Sequence, residues 1–98
     1  MNVVRAELSS ANIVSRFDYE IPRFQWVDRE KSIVVCREAD HDQAYLFGLV
    51  KEGREEERSE WEYAPIAIFC HGTLHLSDHS RLSMVEETVI REFAEVNC

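Results

Sequence analysis

Three histidines stand four residues apart, His71, His75 and His79, and Cys70 precedes the first of them. These are the side chains of this sequence best suited to moving a proton or holding a metal. On a helix a four-residue step places neighbours on one face, whereas along a strand it separates them by about 13 Å. Two ligands of one zinc ion each sit about 2 Å from the metal, so a straight strand cannot bring such residues together. No cysteine or carboxylate lies at a recognisable ligand spacing beside them. Solvent-facing histidines are therefore the expectation, with no metal and no cofactor.

Nucleophilic chemistry meets a similar obstacle. A thiolate activated by an imidazole is a common arrangement, but Cys70 and His71 are adjacent, and adjacent side chains of a strand point to opposite faces. Cys36 with His41 is less constrained, yet Cys36 lies in the apolar run SIVVCR, where a thiol is inert core. No phosphate-binding loop, G-x-G-x-x-G, G-x-S-x-G or H-E-x-x-H occurs. The tetrad His71-Gly72-Thr73-Leu74 resembles one half of the H-x-T-x signature of the 2H phosphoesterases, whose two facing copies supply an acid and a base. His75 opens no second copy, so the chain is not assigned to that family. A small hydrolase or metal-dependent enzyme using His71, His75 and His41 stands as the alternative reading of function.

The elements that must position these residues follow from periodicity. Residues 61–77 (WEYAPIAIFCHGTLHLS) form the longest stretch of strand character. Read straight through, Ile66, Ile68, Cys70, Leu74 and Leu76 share a core face. A strand that long is exceptional, so a hairpin turn or a bulge-induced bend is expected at Gly72, and a two-residue turn at His71-Gly72 resets the parity of the second half. Upstream, Val4, Ala6 and Leu8 alternate with charged residues, which fits a short strand, and a helix from Asn2 to Ala11 fits nearly as well; Phe17, Tyr19 and Ile21 also alternate with charged residues, and Pro22 ends that strand or places it at an edge. Phe24 and Trp26 begin a further short strand, residues 32–37 are apolar on both faces, and residues 44–50 (AYLFGLV) form another apolar run. Near the C-terminus Leu82, Val85, Val89, Phe93 and Val96 recur at helical steps, with Ile90 at the margin of the stripe; Ser83 with Glu86 matches a capping box, and Asp78 or Ser80 equally suits a helix that starts one turn earlier. The expected architecture is a single α+β domain over residues 1–98, an antiparallel β-meander of five or six strands packed by one C-terminal amphipathic helix.

Composition then bounds function. Ninety-eight residues with 45% hydrophobic content suit one core, and no stretch approaches the roughly 20 apolar residues of a membrane span. The start MNVVRAELSS has no signal-peptide character, and three cysteines without C-x-x-C spacing indicate no disulfide framework. A cytoplasmic protein with no membrane contact is expected. Nineteen acidic residues against eleven basic ones give a formal charge of −8, which disfavours direct nucleic-acid binding and steers basic partners in.

The excess is densest at residues 51–62 (KEGREEERSEWE), where Glu52, Glu55, Glu56, Glu57, Glu60 and Glu62 face three cations. These six glutamates are the candidate partner-binding residues. The preferred reading is a small acidic, non-catalytic module that inhibits, occludes or chaperones a basic protein, as immunity proteins and phage-encoded inhibitors do. Aromatic side chains that one helix cannot cover are expected to leave apolar surface for a homodimer or a partner.

Overall fold

The computed structural model describes residues 2–6, 24–37, 44–54, 56–57, 61–77 and 82–97, and most of these described residues lie in six strands and one helix. The strands are β1 (Asn2–Ala6), β2 (Gln25–Asp28), β3 (Ile33–Arg37), β4 (Tyr45–Lys51), β5 (Glu62–Cys70) and β6 (Thr73–Ser77), and the helix is α1 (Met84–Asn97). They form one sheet in the order β1-β6-β5-β4-β3-β2, so the fold is α+β.

From β2 to β6 the sheet is the expected antiparallel meander, each strand pairing with the next. At β1 the expectation needs correction. β1 lies parallel to β6, with Val3 opposite Leu74 and Arg5 opposite Leu76, so the sheet is mixed. Local alternation marks a segment as extended but does not name its partner, and a parallel neighbour can come from far along the chain. Here the partner is some seventy residues away. The strand expected at Phe17 to Ile21 lies outside the described residues.

The β5–β6 hairpin turns at His71-Gly72. Cys70 pairs with Thr73, leaving a two-residue loop, and both loop residues have positive φ, 51° at His71 and 76° at Gly72. Two consecutive positive φ values match the twist of the flanking strands, which is why glycine belongs at the second position. The turn flips the parity, and the straight-through core face is corrected accordingly. Ala67 and Phe69 pair with Leu76 and Leu74 on the side of the sheet that meets α1, while Ile68 and Cys70 look the other way with His75 and Thr73.

The helix begins at its capping box: the Glu86 amide donates to Ser83 Oγ at 3.1 Å, and the Ser83 amide donates to Glu86 Oε1 at 3.4 Å. Its buried stripe differs from the expected one. Ile90 and Ala94 are buried, with Leu82, Val89 and Phe93 packed beside them, whereas Val85 is 58% exposed and Val96 83% exposed. Ala94 thus joins the buried stripe although the expected stripe does not include it. Fourteen residues make a helix about 21 Å long, close to the roughly 24 Å spanned by six strands. Its first turn meets β1 through Arg5 and Glu87, 2.7 Å apart, and it also packs against β2, so it crosses the sheet from edge to edge.

The second sheet face also carries buried residues, while Ile68, Cys70, Thr73 and His75 on it are half-buried. Val34 and Leu46 are fully buried, and Phe24, Cys36 and Trp61 nearly so, with Trp26 and Tyr63 half-buried against them. Phe24 and Trp61 themselves offer little exposed surface. Among the described residues no helix is long and apolar enough to cross a membrane.

Candidate partner-binding surface

The acidic segment joins β4 to β5, and one tryptophan fixes its base. Trp61 is 4% exposed and packs with Phe24, Val34, Cys36 and Val50. Its ring centroid lies 5.9 Å from that of Phe24 and 6.4 Å from that of Trp26. From this anchored position Nε1 donates to the Arg54 carbonyl at 2.9 Å, and the Glu57 amide donates to the same oxygen at 3.0 Å. Gly53 sits against the indole edge: a Cβ there would lie 3.2 Å from Trp61 Cδ1. Burial of a large aromatic with its polar edge satisfied is a favourable anchor, because the ring contributes area while the N–H loses no hydrogen bond. The strand periodicity of 61–77 hides this role, although an aromatic residue at the end of a run of glutamates is the signal that would have shown it.

The six glutamates divide as follows. Glu52 is exposed and lies 3.7 Å from Arg29, whose guanidinium carbon is 4.9 Å from the Trp26 ring centre. Glu56 and Glu57 are exposed in a short helical turn and close no ion pair among the described residues. Glu62, also exposed, opens β5 directly opposite Lys51. Glu55 and Glu60 lie outside the described residues. Glu52, Glu56 and Glu57 thus belong to one short connection, with Glu62 at the strand to which it returns.

The histidines are set differently. His71 is exposed at the tip of the β5–β6 turn, and His75 is half-buried in the middle of β6, opposite Ile68 on the face away from the helix. Cys70, a free and half-buried thiol, shares that face. His41 and His79 lie outside the described residues. Among the described residues no three His, Cys, Asp or Glu side chains gather as a metal site would require.

A groove of about 340 Å³ runs along the open end of β4 and β5, beside the root of the acidic connection. Leu49, Val50, Lys51, Glu62, Tyr63 and Ala64 line it, and Lys51 stands opposite Glu62, so the groove carries one cation and one carboxylate.

No family model matches the chain, and comparison with curated proteins and with solved structures returns no match.

Proposed function

We propose that this chain is a small acidic binding module that engages a basic partner protein and thereby inhibits, occludes or chaperones it in the cytoplasm. The observation that carries the reading is the exposure of Glu56 and Glu57, without ion-pair partners among the described residues, on a connection held at its base by Trp61. Carboxylates presented from a tethered loop lose less conformational freedom on binding than those of a free chain. The net charge of −8 steers a cationic surface toward them and repels a phosphate backbone.

The test is affinity capture from the native cell with the wild-type chain and with Glu56→Lys/Glu57→Lys as parallel baits. A basic protein held by the wild type, released as salt rises, and lost from the charge-reversed bait is the expected result. Equal retention by both baits would remove the acidic connection from the binding surface.

A further inference from the structure

β1 is held less firmly than the strands beside it. Among the described residues it pairs with β6 alone, at the edge of the sheet and in parallel, the pairing that is slightly weaker per residue. Val3 packs half-buried against the helix-side cluster, whereas Asn2 is exposed and Val4, on the other face, is 46% exposed. Arg5 reaches Glu87 at 2.7 Å with its own side chain 55% exposed. β6 is set otherwise: Leu74 and Leu76 are fully buried, and the hairpin ties the strand to β5.

We propose that β1 is a latch, fastened by the ion pair of Arg5 with Glu87, that opens as a unit while β2 to β6 and α1 stay folded. Segments with few buried apolar contacts open locally at a lower cost than the whole chain, and an ion pair open to solvent is screened by salt, so the latch loosens as ionic strength rises. Opening changes what this edge of the sheet presents. Closed, the outermost strand carries Arg5, a charge of the kind that guards an edge against pairing. Open, the outermost strand is β6, whose sequence TLHLS contains no Lys, Arg, Asp or Glu. Its freed N–H and C=O groups then stand without such a guard.

The ladder supplies the probes for a test. The Asn2 amide donates to the Gly72 carbonyl at 3.3 Å, and because ladder bonds alternate along a strand, the amides of Leu74 and Leu76 face β1 while that of His75 faces β5. Amide hydrogen exchange on the full chain, corrected for intrinsic rates, reads them separately. Leu74 and Leu76 are expected to exchange about tenfold faster than His75. Arg5→Gln should quicken them about threefold more and leave His75 unchanged. Sodium chloride at about 0.5 M should act on the wild type as that substitution does, and add nothing in the variant. Leu74 and Leu76 exchanging in step with His75 would overturn independent opening, as would Arg5→Gln quickening all three alike. Rates at Leu74 and Leu76 that ignore either the substitution or the salt would overturn the ion pair as the fastening.

Discussion

The phenol ring of Tyr63 occupies the space that a side chain at position 48 would need: a Cβ built on Gly48 falls 2.4 Å from Tyr63 Cζ. The ring is not free to leave. Its hydroxyl donates to the Leu46 carbonyl at 3.3 Å, and it packs against both apolar clusters of the face away from the helix. Gly48→Ala should therefore destabilise the chain by about 1 to 3 kcal/mol, the usual cost of overpacking. Urea unfolding measures it, and the same substitution made on Tyr63→Leu should cost clearly less. An equal cost in both backgrounds would mean that the ring is not the obstacle.

Trp61 holds the acidic connection through one hydrogen bond and a buried ring, and the two contributions separate experimentally. Trp61→Phe keeps most of the packing and removes the donor, which should cost about 1 kcal/mol. Trp61→Ala also empties the site and should cost about 3 to 5 kcal/mol. In Trp61→Phe the amide of Glu57, bonded to the same carbonyl, should exchange with solvent faster while β3 and β4 amides keep their protection. Unchanged exchange at Glu57 would show that the indole does not restrain the connection.

Ser83 satisfies the Glu86 amide at the start of α1. Ser83→Ala should lower stability by about 0.5 to 2 kcal/mol, and Ser83→Asp should restore most of it, since aspartate accepts the same hydrogen bond and favours the positive end of the helix. Thermal unfolding of the two variants decides the point. An alanine variant as stable as the wild type would remove the cap from the account.

Asp28 gives a pH dependence of known sign. The Lys31 amide donates to its Oδ1 at 3.1 Å, and the Lys31 ammonium lies 3.4 Å from Oδ2. That backbone hydrogen bond first, and the lysine side chain after it, hold the carboxyl below the ordinary aspartate value, with partial desolvation opposing them. Because the folded value is the lower one, the stabilisation is complete above the unfolded aspartate value and is lost as pH falls through the folded one. The stability difference between the wild type and Asp28→Asn should be level at neutral pH and shrink on acidification through that window. A difference that grew as the pH fell would contradict the assignment.

Several features were legible in the sequence because they depend on neighbours a few residues apart. Ser83 and Glu86 cap a helix at their own spacing, and His71-Gly72 closes a hairpin because the turn needs positive φ where glycine stands. The glutamates of 51–62 announced a charged connection. The helical steps locate Leu82, Val89 and Phe93 correctly but also take in the exposed Val85 and Val96 and leave out Ala94, because periodicity finds an apolar arc without saying which part of it meets the sheet.

The amino-acid order alone pointed to the α+β class, to consecutive paired strands and to a C-terminal helix, and it fixed the sign of the charge, all of which follow from local conformational preference and from counting. Tertiary structure decided the rest: that β1 joins β6 in parallel, that Tyr63 fills the space beside Gly48, and that Trp61 ties down the acidic connection. Each of these is a contact between residues separated by a turn, a strand or most of the chain. Such contacts form where packing of the whole sheet leaves or fills space, and no short window of sequence records that.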